Sequence, residues 1–165
     1  MTVNTFWKFS LRFWGLPGAE TACLYLQDNM KADVNIVLFC IYAAKNGYIV
    51  THQGLQHIIQ ETAPWRENVV LPLREVRHHM RTIKDEDPEL YKNIQAAELG
   101  AEKWAQSRMS EYTRNCCLSR ETEISYNMEY SLKKYLIDCL GNEGDKVQSA
   151  IDHLISIQAP ASDSS

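Results

Sequence analysis

Apolar residues recur along this chain at the spacing of an α-helix. Between residues 64 and 104 two segments carry such stripes, at alternating steps of four and three: Val69, Leu73, Val76, Met80 and Ile83 in the first, and Leu90, Ile94, Ala97, Ala101 and Trp104 in the second. Steps of this kind place side chains on one face of a helix. Only GYIVTH, residues 47–52, is a candidate strand, and it would be isolated. We predict an all-α fold.

Capping residues, glycines and prolines divide the chain into seven or eight helices. Asp33 and Thr51 are expected to cap helices, Asn46-Gly47 to end one, and Pro64 to open another. The predicted helices cover about residues 5–14, 17–29, 34–45, 52–61, 64–84, 88–115, 119 or 122 to 140, and 142–157. A short turn joins the fifth to the sixth, which predicts a long antiparallel helical hairpin with its apolar stripes buried in the seam. Residues 1–158 would form one domain, and residues 159–165 a disordered tail.

Two segments have a clear predicted place in the core. Residues 34–44, VNIVLFCIYAA, are apolar on every side, which is typical of a central helix, and they are too short to span a bilayer. A buried Asn35 in its first turn would need hydrogen-bond partners. The aromatic amino terminus, with Phe6, Trp7, Phe9, Phe13 and Trp14, is expected to join the core. Left exposed, it would mark a protein interface.

Composition limits the functional classes. The net charge is −4, so nucleic-acid binding would need a segregated basic face. The amino terminus lacks the apolar run of a secretory signal. The cysteines are odd in number, show no C-x-x-C, and are expected to be reduced in a cytoplasmic protein, with Cys116 and Cys117 more exposed than the others. No catalytic, metal or phosphate-loop motif occurs, so we predict no cofactor and no metal.

The most charged candidate site is APWRENVVLPLREVRHHMR, residues 63–81. Arg74, Arg77, His78, Arg81 and Lys84 fall on one side of the predicted helix. Three interpretations stay open. The side chains could form a solvated flank that pairs with acids of the next helix (Glu89, Glu98 and Glu102), a face for nucleic-acid phosphates, or a set of guanidinium forks for an anion or a carboxylate.

A second candidate is LQDNMKADVN, residues 26–35, where Asp28 and Asp33 stand beside Gln27 and Asn35. Two carboxylates at a helix junction could hold Mg²⁺, particularly with a bound phosphate. Alternatively Asp33 caps a helix and Asp28 ends the one before it. In one version Asp28 or Asp33 reaches Arg66 or Arg74 and clamps the fifth helix to this junction.

Several motifs together resemble a known family. They are FWKFSL, PGAETACLYLQD, DVNIVLF, PWRENVVLPLREVR and AAELGAE, in this order over about residues 5–105. The sequence is similar to an uncharacterised proteobacterial family known mainly as a domain of unknown function. The resemblance implies the bounds of a domain but no mechanism. Relatives often carry a longer arginine run where this chain has RHHMR, which weakens the phosphate-binding interpretation.

We therefore hold three functional hypotheses. The favoured one is a non-enzymatic cytoplasmic interaction or regulatory protein, linked to gene regulation, with a protein partner, no membrane association and an oligomeric state left open. The second is a DNA-associated transcription regulator that uses the basic stripe of residues 74–84. The third is an enzyme that acts on a phosphorylated or anionic small molecule at Asp28/Asp33 with Arg66/Arg74. The expected polar network comprises Gln27, Asp28, Asp33, Asn35, Trp65, Arg66, Arg74 and Arg77, with no catalytic residue among them.

Overall fold

A helix that is apolar on every side forms the centre of the molecule, as its sequence predicts. In the computed structural model, which describes residues 3–158 and the side chains of residues 5–157, α3 (Val34–Lys45) is buried continuously from Asn35 to Ala44. Asp33 caps its first turn and Asn46 its last. The prediction of a central third helix is confirmed. The tail expected at residues 159–165 lies outside the described residues.

Several other helices surround α3, and the all-α prediction is confirmed. The remaining helices are α1 (Val3–Trp14), α2 (Ala19–Met30), α4 (His52–Trp65), α5 (Leu71–Met80), α6 (Pro88–Glu111), α7 (Thr113–Cys116), α8 (Ile124–Lys133) and α9 (Gly144–Gln158). Helices α1, α2, α6 and α8 pack against α3, and α9 packs on α2 and α8. Most of the buried apolar side chains form one cluster, because every helix except α5 contributes apolar side chains to the same centre.

The fourth and fifth predicted helices are continuous, contrary to the expectation that Pro64 opens a new one. Pro64 lies near the end of α4, and a π-helical turn, Arg66–Val70, leads directly into α5. The Leu71 amide bonds the carbonyl of Arg66, and Asn68 donates its side-chain amide to the carbonyl of Pro64. The helix therefore continues past its proline through a widened π-helical turn instead of ending.

The α5–α6 hairpin is present, but its predicted seam is not buried. A 3₁₀ turn, Arg81–Ile83, joins the two helices, and no residue from 71 to 97 is buried. Val76, Leu90 and Trp104 are each more than 40% exposed. The prediction of a buried stripe is wrong over this length because the hairpin projects from the body. Arg74 of α5 reaches Gln27 of α2, but no third helix covers the seam well enough to bury it, and two helices cannot enclose it alone.

The candidate strand is paired, contrary to the expectation that it would be isolated. Strand β1 (Tyr48–Val50) pairs antiparallel with β2 (Cys117–Ser119), and Val50 lies opposite Cys117. Cys116 and Cys117 are buried, so the expectation of an exposed pair is also wrong. Gly54 allows the start of α4 to approach the backbone of Cys116 closely, since a Cβ at position 54 would stand 2.4 Å from the carbonyl oxygen of Cys116.

Candidate functional site: the polar network and the cleft above it

Asp33 anchors the polar network at the start of α3. One carboxylate oxygen accepts a hydrogen bond from the backbone N–H of Asn35 at 2.9 Å, and the other accepts one from Nε of Arg66 at 3.1 Å. The backbone N–H of Asp33 donates to the hydroxyl of Tyr135 at 2.8 Å. The helix cap and the ion pair therefore share one carboxylate, which attaches the π-helical turn to the amino terminus of α3.

Asn35 extends the network into α6 and α1. Its side-chain nitrogen Nδ2 donates to Glu102, and its side-chain oxygen Oδ1 accepts a hydrogen bond from Nε2 of Gln106 at 2.9 Å. Ser10 of α1 donates to the other end of Gln106, also at 2.9 Å. The buried amide thus has partners on both sides, as a buried polar group requires. This chain of bonds joins α1, α3 and α6 through their interior.

Arg74 and Arg77 connect the hairpin to the same network. Arg74 donates through Nη1 to Gln27 and through Nη2 to Glu102, both at 2.7 Å, and its Nε lies 3.4 Å from Glu98. Arg77 holds Glu98 with two nitrogens, Nε and Nη2. All four charged side chains are less than a quarter exposed. The guanidinium groups therefore neutralise carboxylates of α6 and leave little charge for an external anion.

Burial governs the protonation of two of the carboxylates. It raises the pKa of Asp33, against the opposing effects of the Arg66 charge, the Asn35 amide and the Arg74 charge. It also raises the pKa of Glu102, and the charge of Asp33 raises it further, while Asn35 and Arg74 act to lower it. The bonds to Glu98 raise the pKa of Arg77. Carboxylates with perturbed pKa values beside a cleft mark this region as a candidate functional site.

A cleft of about 810 Å³ lies above the network. Helices α1 and α2 form one wall, the α5–α6 hairpin forms the other, and the start of α3 forms the floor. Side chains that line each wall repeat at helical spacing: Trp7, Leu11 and Trp14 on α1; Glu20, Leu24 and Gln27 on α2; Arg74 and Arg77 on α5, with Arg81 just after it; Gln95, Leu99, Glu102 and Gln106 on α6. The cleft thus has polar, largely paired side chains below and exposed apolar side chains above.

The structure brings together six of the eight residues expected to form the network: Gln27, Asp33, Asn35, Arg66, Arg74 and Arg77. The other two lie apart from it. Asp28 is exposed on α2, lines the cleft and accepts only the amide of Gln27, at 3.5 Å. It forms no ion pair with Arg66 or Arg74, and Asp33 is the carboxylate that Arg66 contacts. Trp65 donates to the carbonyl of Ala101 at 3.0 Å, and its ring packs against Trp104 at a tilt of 33°.

Sequence reasoning missed part of the network. Glu98 and Glu102 were expected to pair with the arginines across the hairpin, but as a solvated flank, whereas both are largely covered. Ser10 and Gln106 were not singled out as network residues. A signal was available, because Glu98, Glu102 and Gln106 recur every four residues on one face of α6. A polar row facing the body of the protein indicates paired polar groups rather than solvent.

Comparison with known proteins matches the part of the chain that contains the network and the cleft. A family model described as a protein of unknown function, DUF2390, matches residues 5–109. The chain belongs to the DUF2390 family. The resemblance seen in the sequence motifs is therefore confirmed. No curated protein and no solved structure matches the chain. The DUF2390 region contains α1 to most of α6, including every residue that lines the cleft.

Two further properties concern the described part of the chain. Between residues 3 and 158, no helix is both long and apolar enough to cross a membrane. Within that range, no group of three or more histidine, cysteine, aspartate or glutamate side chains is placed to hold a metal ion.

Proposed function

We propose that this DUF2390 protein is a non-enzymatic, cytoplasmic interaction protein with a regulatory role, and that it binds a protein partner in the cleft. One observation carries the proposal. The guanidinium groups of Arg74 and Arg77 are engaged by carboxylates of α6, while the apolar side chains of the cleft are left in solvent. Leu11 and Leu99 are each more than half exposed, and Leu24 is 37% exposed. Exposed apolar side chains grouped in a concave surface are typical of binding sites.

The state of the thiols supports a binding role over nucleophilic catalysis. Burial raises the pKa of Cys23 and of Cys117 to about 12. Cys139 lies 3.7 Å from Nδ1 of His52, but burial and the charge of Asp138 raise its pKa as well. A catalytic thiol needs a lowered pKa, since the thiolate is the nucleophile. The thiols are free in the structure, as suits a reducing compartment.

The two alternatives remain hypotheses, with less support. A nucleic-acid face on residues 74–84 would lose Arg74 and Arg77, which are bound to Glu98 and Glu102. An enzyme acting on an anion at Asp28 and Asp33 would have only one of these carboxylates near a guanidinium group. DNA affinity measured against salt concentration tests the first. Thermal-shift measurements with Mg²⁺ and diphosphates test the second.

Photo-crosslinking in living cells tests the proposed function directly. A photoreactive phenylalanine analogue replaces Leu11 in the cleft, and in a matched control it replaces Leu118, which is 59% exposed on β2. We expect a discrete crosslinked protein from position 11 and none from position 118. Equal crosslinking from both positions, or none from position 11, would contradict the proposed function.

A further inference from the structure

The cleft has the geometry of a helical bundle that lacks one member. Each of its four helices presents to the cleft a row of side chains at steps of three and four residues. Helices in a bundle present such rows to a neighbour they share, because ridges at this spacing fit the grooves of another helix. Within residues 3–158, no strand borders the cleft, so this part of the chain offers no sheet edge there to an extended peptide. The surface is therefore shaped for a helix.

The length of the row sets the size of the occupant. On α6 the lining residues run from Gln95 to Gln106. At 1.5 Å per residue this wall is roughly 16 Å long, which is about three turns of an α-helix. The apolar contacts are offered by Leu11, Leu24 and Leu99, all exposed. A helix of about three turns with one apolar stripe would cover them.

The two walls differ in their unpaired charge. On α2, Glu20 and Asp28 are exposed and form no ion pair within the described residues. Just after α5, Arg81 is exposed and forms none in the same part of the chain, and His78 of α5 is exposed as well. The α2 edge is therefore acidic and the α5 edge basic. A complementary helix carries basic side chains on one flank of its stripe and acidic side chains on the other.

We infer that the cleft binds an amphipathic α-helix of a partner protein, with its basic flank along α2 and its acidic flank along the hairpin. This inference rests on the proposed function and specifies the chemistry of the partner. The helix completes the bundle, and its orientation is set by the charges of the two walls. The network beneath the cleft holds the walls at a fixed separation, since Arg74 bonds Gln27 of α2 and Glu102 of α6 together.

Selection from a displayed peptide library tests the inference. The library has fourteen-residue helical peptides with apolar residues at i, i+4, i+7 and i+11, and with Lys, Glu or Gln randomised on both flanks; a second library carries a central proline. Both are selected against the full chain. We expect binding peptides from the first library alone, with lysines on one flank of the apolar stripe and glutamates on the other.

The selected peptides are then measured individually. We expect binding about tenfold weaker to Leu24→Arg and unchanged for Leu118→Arg. Exchanging the lysine and glutamate flanks should weaken binding about tenfold at low salt, with a smaller effect at high salt. Thermal melts of both variants establish that they fold.

Three outcomes overturn the inference. The selected peptides come equally from the proline library, they bind Leu24→Arg as tightly as wild type, or no binding peptide is recovered. A fourth is a chain that is dimeric in ultracentrifugation and becomes monomeric with Leu24→Arg, because the occupant would then be a second copy. The proposed function fails separately. If position 11 crosslinks a partner that binds as an extended segment, only the helix is wrong. If helical peptides bind while position 11 crosslinks nothing in cells, only the proposed function is wrong.

Discussion

Replacing Arg74 with alanine removes the side chain that joins the hairpin to the rest of the network. The substitution deletes the bonds to Gln27, Glu98 and Glu102. Glu98 keeps Arg77 as a partner, but Glu102 keeps only the amide of Asn35, in a site where burial already raises its pKa. The main cost therefore comes from a largely buried carboxylate that loses its guanidinium.

The size of the loss follows from the burial of the pair. Breaking a fully buried ion pair costs about 3–5 kcal/mol, and breaking an exposed one about 0–1 kcal/mol. The side chains of Arg74 and Glu102 are 22% and 19% exposed, so solvent screens the pair in part. We expect Arg74→Ala to lower the free energy of unfolding by about 2–3 kcal/mol.

Urea denaturation followed by circular dichroism measures this change, with the free energy taken from the midpoint and the slope. The matched control is Arg81→Ala, because Arg81 lies on the same hairpin and is exposed. The control should change stability by less than about 0.5 kcal/mol. If Arg74→Ala loses no more than Arg81→Ala, the network does not stabilise the fold, and the reasoning from burial is refuted.

A double-mutant cycle measures the interaction energy between Arg74 and Glu102 directly. Combining Arg74→Ala with Glu102→Gln should cost less than the sum of the two single substitutions, since the unpaired carboxylate is then absent. We expect a coupling energy of roughly 1–2 kcal/mol, within the range for directly contacting residues. Additive single effects would mean that the two side chains do not interact in solution.

Two further predictions concern packing and protonation. Gly54→Ala should lower the free energy of unfolding by about 1–3 kcal/mol, because the new Cβ meets the backbone of Cys116, whereas Gly100→Ala meets nothing within 4 Å and should raise it by up to about 1 kcal/mol. Thermal melts compare them, and equal effects would contradict the close approach. Because the pKa of Glu102 is raised in the folded state, its contribution to stability is complete below the ordinary value of 4.5 and is lost as the pH rises through the folded-state value. Wild type should therefore lose stability relative to Glu102→Gln across that rise; parallel pH profiles in urea titrations would contradict this.

The predicted hairpin shows where the sequence pattern was informative and where it was not. The stripes from Val69 and from Leu90 correctly placed two antiparallel helices against each other. They did not reveal that Val76 and Leu90 are exposed, because periodicity indicates which face of a helix is apolar but not how many neighbours cover it. The same limit applies to β1, whose partner strand is 67 residues away and too short to leave a pattern.

The candidate site, like the fold, was predictable from the sequence only in part. The residue types at Asp33 and Arg66, together with the family motifs, were enough to nominate an acidic junction and the guanidinium groups after Trp65. The identity of each pair was not available from the sequence. Asp28 and Asp33 are the same residue type and lie five residues apart, yet only Asp33 reaches Arg66.

The sequence by itself determined that this protein is helical, that α3 is its central helix, and where most helices begin and end. These properties depend on neighbours within a few turns, so local spacing and capping residues suffice. Only the tertiary structure decided which carboxylate meets which guanidinium, that Asn35 bonds a glutamine 71 positions away, and that four helices leave a cleft between them. Those outcomes depend on the angles and distances at which helices pack, which are set by the whole core at once.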